Sequence, residues 1–153
     1  MRVMISACLV ASAVVAMAGI EHTILHGVSV GALRFTVFPD QVPALTEEEG
    51  NALMQSRLDD AGIPVTPGDG ATLWIRATVF SDNSALCSVS LEGQLVEEAT
   101  LLRNGLRVPA DSWHGGGSVL TTTDADCAQH VRKAINRAMD DFIEMHGAMN
   151  PKQ

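Results

Sequence analysis

Three side chains that together could carry out hydrolysis lie within four positions of one another late in the chain. Asp111, Ser112 and His114 supply a carboxylate, a hydroxyl and an imidazole, and Gly115–Gly117 follow with backbone amides that no side chain covers. A hydrolase could use the serine as nucleophile, the histidine as base and the glycine amides to bind an oxyanion. One alternative is therefore a small hydrolase or metal-dependent enzyme centred on Asp111–Gly117.

The same segment also fits a purely structural role. Neighbouring residues on a strand point to opposite faces, so the three side chains converge only if the backbone is irregular. Trp113 could instead pack over a bulged strand while the glycines let backbones approach closely. The sequence has no strand–turn–helix setting of the Gly-x-Ser-x-Gly type. We therefore assign no catalytic residues, favour a non-enzymatic protein, and treat Trp113 and His114 as candidate binding residues.

Two histidines near the start of the chain, His22 and His26, have a spacing that can bind a metal ion. Residues four apart share one face of a helix, and paired imidazoles bind Zn²⁺ or Cu²⁺. No third ligand stands nearby, and the residues between them suit an extended conformation as well as a helix. We therefore predict an exposed leader here, and neither a metal nor a cofactor for the chain, which has no EF-hand, Walker or dinucleotide-binding motif.

The first eighteen residues have the pattern of a secretory signal peptide. Arg2 is followed by an almost wholly apolar run over residues 3–15, and Ala16-Met17-Ala18 offers a cleavage site. An uncleaved signal would instead leave a membrane-tethered accessory domain, since the apolar run approaches the length of a membrane span. Lipidation at Cys8 is disfavoured, because only four residues precede the lipobox-like Ile5-Ser6-Ala7-Cys8.

Cleavage at Ala18 leaves 135 residues, enough for one domain with a real core. We predict a leader at residues 19–27, one domain at 28–147 and a C-terminal tail at 148–153. Loss of Arg2 leaves nine basic against eighteen acidic residues, a net charge of −9. Such an acidic surface repels nucleic acids and anionic lipid headgroups, so we predict no nucleic-acid partner and no stable membrane insertion after cleavage.

Four stretches are predicted to be extended. They are Val28–Phe38, Ala71–Phe80, Ala85–Leu101 and Leu106–Leu120. In the second and third, apolar residues alternate with more polar ones, which is the pattern of strands with one buried and one wet face. Ser81–Asn83 and Asn104–Gly105 supply the turns of an antiparallel meander, the latter as a tight hairpin. Gly115–Gly117 predict a bulge or a bend.

Two segments are predicted to be helices. Thr46 starts the first, Glu47–Glu49 favour the positive end of its dipole, and Gly62 ends it. The second begins at Thr123–Asp126 and carries an apolar stripe at three- and four-residue steps. The elements together predict an α+β domain of two layers, an antiparallel sheet of four to five strands with two helices packed on one face.

This architecture bears on the cysteines and on the polar face of the sheet. Cys87 and Cys127 are the even pair that remains after cleavage, and their positions on a strand and at the start of a helix stripe predict a disulfide rather than two separate thiols. Trp74 and Arg76 fall on the face that the helices leave uncovered, where they are candidate binding residues. Cross-strand packing is the alternative role for Trp74.

The order of motifs resembles that of small exported bacterial envelope proteins of uncharacterised function. The resemblance rests on the Thr46–Glu49 helix start, its end at Leu58-x-x-Ala61-Gly62-Ile63-Pro64-Val65, the long hairpin, Trp113-x-Gly115, and a last helix ending in Phe142 and Asn150-Pro151. It covers most of the chain after residue 18. It implies a bacterial envelope protein, and it carries neither an activity nor site residues.

The function predicted from the sequence is an exported, non-enzymatic binding or accessory domain of the bacterial cell envelope. The export signal and the predicted disulfide favour the periplasm, with the extracellular space as the alternative. The expected partner is a protein or another envelope component, bound through Trp74, Arg76, Trp113 or His114.

Overall fold

Within the described residues, four strands and two helices make up the fold, which confirms the predicted α+β class. The computed structural model describes residues 25, 27–38, 45–68, 70–81 and 86–151. The elements in chain order are β1 (Val30–Phe38), α1 (Glu47–Ala61), β2 (Ala71–Ser81), β3 (Leu86–Thr100), β4 (Arg107–Thr123), a 3-10 turn (Asp124–Asp126) and α2 (Cys127–Met149). The predicted signal peptide, His22 and His26 lie outside the described residues.

The strands form one sheet in the order β1-β2-β3-β4. β2, β3 and β4 are an antiparallel meander, as the turn residues predict, whereas β1 runs parallel to β2. The parallel pair follows from α1, because a helical crossover returns the chain to the sheet in its original direction. Val65 adds an isolated parallel bridge to Val30.

Side chains alternate between a buried and an uncovered face along β2 and β3. Ala71, Leu73, Ile75, Ala77 and Val79 are buried, and each residue between them is only half-buried. Both helices pack on the buried face, as predicted. The helices contribute Met54, Leu58, Val131, Ala134, Ile135, Ala138, Met139 and Phe142 to the same core.

Local chemistry at both ends of α1 explains its boundaries. The Thr46 hydroxyl accepts a hydrogen bond from the Glu49 backbone N–H, and the Glu49 carboxylate accepts one from the Thr46 backbone N–H, which completes a capping box. The Thr46 backbone N–H, and then its hydroxyl, hold the pKa of Glu49 below its usual value. Gly62 ends the helix in the left-handed conformation at φ 70°.

Gly50 lets α1 approach β1 closely. This helical glycine is buried, and a Cβ atom built on it would overlap the ring of Phe35. The Asn51 side chain accepts a hydrogen bond of 2.7 Å from the Phe35 backbone N–H, so the helix also covers part of the β1 edge. A side chain at position 50 would force the helix and the strand apart.

The β3–β4 hairpin is long and irregular. Its turn is wider than the tight hairpin predicted from Asn104–Gly105, because the Leu101 N–H donates to the Leu106 carbonyl and leaves four residues in the loop. The strand register shifts twice, at Ser112 and at Gly117, so that neither residue has a partner on β3. Gly116 and Gly117 have φ values of 85° and 105°, which confirms a glycine bulge at this point.

The start of α2 is fixed to the sheet by the predicted disulfide. Cys87 and Cys127 are bonded, with their Cα atoms 5.9 Å apart, and both are fully buried. Cys87 faces the core from β3, and Cys127 is the first residue of α2. The strand and helix registers predicted this contact correctly.

The end of α2 is tied to the segment expected as an exposed leader. Asn150 follows the helix, accepts a hydrogen bond from the Gly27 N–H at 2.8 Å, and donates to the Leu25 carbonyl at 2.9 Å. Leu25 is fully buried. Leu25 therefore belongs to the core of the domain, where it lies beside the last turn of the helix, which runs to Met149.

Loss of the disulfide should destabilise the protein. In the chain-entropy model, closing a loop across the 40-residue separation is worth up to about 4 kcal/mol. A Cys87→Ala/Cys127→Ala variant should unfold at a lower urea concentration, with a free energy of unfolding reduced by about 2–4 kcal/mol. Dithiothreitol should lower the wild-type midpoint and leave that of the variant unchanged. An unchanged wild-type midpoint in dithiothreitol would contradict the prediction.

Gly50→Ala and Gly147→Ala should have opposite effects. Alanine at 50 overpacks the contact with Phe35 at a cost of about 1–3 kcal/mol, which exceeds its helix-propensity gain of about 1 kcal/mol. At Gly147 nothing lies within 4 Å of a built Cβ, so alanine should gain up to about 1 kcal/mol. Urea denaturation followed by circular dichroism measures both. Stabilisation by both changes would show that α1 can move away from β1 at little cost.

Candidate functional site

The face of the sheet opposite the helices, here called the open face, carries polar and aromatic side chains. Residues in β1, β2 and β3 that alternate with the buried ones make up this face. They are Arg34, Thr36, Phe38, Trp74, Arg76, Thr78, Phe80, Ser88, Ser90, Glu92 and Gln94. Among the described residues, both helices lie on the other side of the sheet.

Trp74 lies between two arginines at the centre of the open face. The guanidinium carbons of Arg34 and Arg76 are 5.0 and 4.5 Å from the indole centroid, within cation–π range. The parallel register places Arg34 directly opposite Trp74. The indole N–H donates to the Thr36 hydroxyl at 3.0 Å, which fixes the orientation of the ring. Cross-strand packing, the alternative predicted for Trp74, is therefore present as well.

The two arginines make this part of the open face positively charged. Arg76 has only a long contact of 3.9 Å with Glu92, and both side chains are nearly half-exposed. Such surface pairs contribute about 0–1 kcal/mol and leave the arginine available to other carboxylates. Within the described part of the chain, Arg34 has no ion-pair partner. The charge contrasts with the net charge of −8 for the whole chain.

Two phenylalanines are unusually exposed at one end of the open face. Phe38 is 67% exposed and Phe80 is 65% exposed. Phe38 pairs with Thr78, two residues from Phe80, so both rings belong to the same end of the sheet. With Trp74, they place three of the six aromatic side chains of the chain on the open face.

Trp113 lies on the other face, in the core. It is only 6% exposed and meets the Phe142 ring edge-on, with centroids 5.3 Å apart. Its indole also covers Gly93 and Gly115, where a Cβ atom would collide with the ring. These contacts fit the structural alternative for Trp113, in which its ring packs over a bulged strand and glycines let the backbones approach closely.

The side chains that the hydrolase alternative requires, those of Asp111, Ser112 and His114, are not hydrogen-bonded to one another. The Ser112 hydroxyl donates to the Leu95 carbonyl at 3.2 Å. Asp111 and His114 are both exposed, and no hydrogen bond within the described residues links either of them to Ser112. The residues that the structure describes contain no group of three or more histidine, cysteine, aspartate or glutamate side chains that could hold a metal ion. The hydrolase therefore stays a prediction without a supporting contact.

His114 instead lines a groove between β4 and α2. A cavity of about 580 Å³ forms its main part, and one of about 220 Å³ continues it along Gly116 and Asp141. Trp113 and Met149 are buried beneath the groove, whereas the two α2 carboxylates at its mouth, Asp141 and Glu144, are exposed. Its lining includes Trp113, His114, Asp141, Glu144, Met145 and Met149.

The four predicted binding residues therefore fall in two places. Trp74 and Arg76 are together on the open face, whereas Trp113 and His114 line the groove beside the β4 edge. Sequence reasoning missed Arg34, Phe38 and Phe80. The alternation in β2 already placed Phe80 on the face of Trp74, but the positions of the two β1 residues depend on the parallel register.

The chain matches no protein-family model and no curated protein sequence. Within the part of the chain that the structure describes, no helix is both long and apolar enough to cross a membrane.

Proposed function

We propose that the protein is an exported, non-enzymatic binding or accessory domain of the bacterial cell envelope, and that its partner binds the open face. The observation that supports this best is the placement of three of six aromatic side chains on the uncovered side of the sheet. Exposing two phenylalanines by more than 60% forgoes the free energy of burying them, and a bound partner would recover it.

The chemistry of the open face defines the kind of partner. Phe38 and Phe80 suit an apolar patch, and the guanidinium groups of Arg34 and Arg76 suit carboxylates placed beside it. Trp and Arg contribute disproportionately to binding free energy, and the contacts of Trp74 hold its ring in place before binding. The partner is a protein or another envelope component with an apolar surface bordered by acidic groups.

Export is supported by the disulfide and by the pattern of the first eighteen residues. A buried disulfide persists in an oxidising compartment such as the periplasm, the favoured location, or the extracellular space. The mass of the native protein should correspond to residues 19–153. Intact-mass spectrometry of protein purified from its own host checks this, and a mass that includes residues 1–18 would instead support the membrane-tethered alternative.

Removing the exposed aromatics should abolish partner binding without unfolding the protein. A C-terminally tagged chain, expressed in its own host, should capture a partner from the envelope fraction, and a Phe38→Ser/Phe80→Ser variant should lose it. Each ring contributes about 1–2 kcal/mol when it is buried at an interface, so loss of both should lower the affinity by at least about thirtyfold. Mass spectrometry identifies the captured protein, and titration of the purified pair measures the affinity.

The matched control is Leu102→Ser, which removes an apolar side chain that is fully exposed in the β3–β4 turn, away from the open face. It should leave capture unchanged. Arg34→Ala should weaken binding, whereas Arg103→Ala in the same turn as Leu102 should not. Equal capture by the wild type and the phenylalanine variant would contradict the proposal.

A further inference from the structure

The two edges of the sheet differ in how they are protected. On β1, the Asn51 side chain accepts from the Phe35 N–H at 2.7 Å, and the Val30 carbonyl accepts from the Thr66 N–H at 2.8 Å. On β4, the backbone hydrogen bonds of the described residues run to β3. An unprotected edge strand offers free N–H and C=O groups to another strand.

A run of glycines leaves part of the β4 edge without side chains, so its backbone is accessible there. The run Gly115–Gly117 forms the part of β4 that borders the groove. Nothing lies within 4 Å of a Cβ built on Gly117, so the space beside the strand is open there. The backbone of an incoming segment can therefore approach β4 without displacing a side chain of the run.

The groove provides places for the side chains of such a segment. Alternate side chains of an added strand point towards α2, where Trp113, Met145 and Met149 form an apolar lining. Met145 is 41% exposed although it is apolar, and its flexible side chain can adapt to different occupants. Backbone pairing and side-chain burial would thus occur together, as in other strand-addition sites.

The groove carries more negative than positive charge, since Asp141 and Glu144 line its larger cavity and Arg137 lines the smaller one. Asp141 and Glu144 are exposed on α2 and have no ion-pair partner among the described residues, whereas the neighbouring Asp140 pairs with Arg57. A second copy would bring the same carboxylates together in a chain whose net charge is already −8. A basic segment would neutralise them.

We propose that the β4 edge and the β4–α2 groove bind an extended, basic segment of another protein, in which the side chains that face α2 are apolar at the centre and lysine or arginine at the ends. The segment adds a fifth strand beside β4, inserts its apolar side chains over Trp113, Met145 and Met149, and pairs its cations with Asp141 and Glu144. This surface is separate from the open face, so the inference goes beyond the function proposed above and does not depend on it.

A synthetic peptide tests the proposal directly. Five residues of β4 along the groove span about 16 Å, so a peptide of about seven residues is long enough. Its first, third, fifth and last residues are lysine, valine, valine and lysine, with threonine between them, so that both cations and both apolar side chains share one face. It should bind the full chain with a Kd below about 1 mM by isothermal titration calorimetry. In a Trp74→Phe variant, Trp113 is the only tryptophan left, and its fluorescence should change on binding.

Two control peptides separate strand addition from other modes of binding. Methylation of alternate backbone amides removes the hydrogen bonds of one peptide edge while keeping every side chain, and it should abolish binding. Replacement of lysine by glutamate should also abolish it. Equal binding by the methylated peptide would overturn strand addition, and equal binding by the acidic peptide would overturn the charge selection.

Matched protein variants locate the site. Asp141→Asn/Glu144→Gln should weaken binding of the lysine–valine peptide by about three- to tenfold, as expected for exposed charge pairs. Asp59→Asn/Asp60→Asn removes the same charge from α1, away from the groove, and should change the Kd by less than twofold. Equal weakening by both variants, or the absence of any binding, would overturn the proposal. A wild-type dimer in sedimentation that Met145→Ser dissociates would overturn it in favour of a second copy.

Discussion

Burial of one face of the sheet, and of that face only, is the constraint on which the rest of the structure depends. Along β2 and β3, buried positions alternate with half-buried or exposed ones throughout the paired length. Both helices lie against the buried face, and the Cys87–Cys127 disulfide fixes the first residue of α2 to β3. Because the helices cover only one face of the sheet, each aromatic residue of a strand lies either in the core or on an accessible surface. Phe35 and Phe142 take the first role, and Phe38 and Phe80 take the second.

The parts of the fold that the sequence predicted are those determined by local chemistry. The capping box of α1 involves only neighbouring residues, and the disulfide follows from two short periodic segments. The direction of β1 could not be predicted in this way, because periodicity shows which side chains share a face of a strand and not whether the strand runs parallel or antiparallel to its neighbour. A fifteen-residue helix between β1 and β2 produced the parallel pair, and that pair in turn places Arg34 beside Trp74. This contact was therefore out of reach of sequence reasoning.

The candidate sites were harder to predict for the same reason. Trp113 and His114 were selected with Trp74 and Arg76, yet the four residues do not form one site. Trp113 is paired with the buried Leu95, whereas its neighbour His114 is paired with Gln94 of the open face, since strand neighbours point in opposite directions. Asp141 and Glu144 look like ordinary solvated residues of an amphipathic helix. Only the packing of α2 beside the β4 edge gives them a position at the mouth of a groove.

The two bulges of β4 connect the core to the groove. Ser112 and Gly117 each lack a partner on β3, so the strand changes phase on either side of the segment between them. Within that segment Trp113 points inward, covers the glycine on β3 and closes the core against Phe142. Position 115 is a glycine because a side chain there would collide with the indole, whereas Gly116 and Gly117 adopt the positive φ values of the bulge. The Trp113 ring and the bulge together thus explain the run of three glycines at this edge, and the groove beside it is a consequence of how the core is completed.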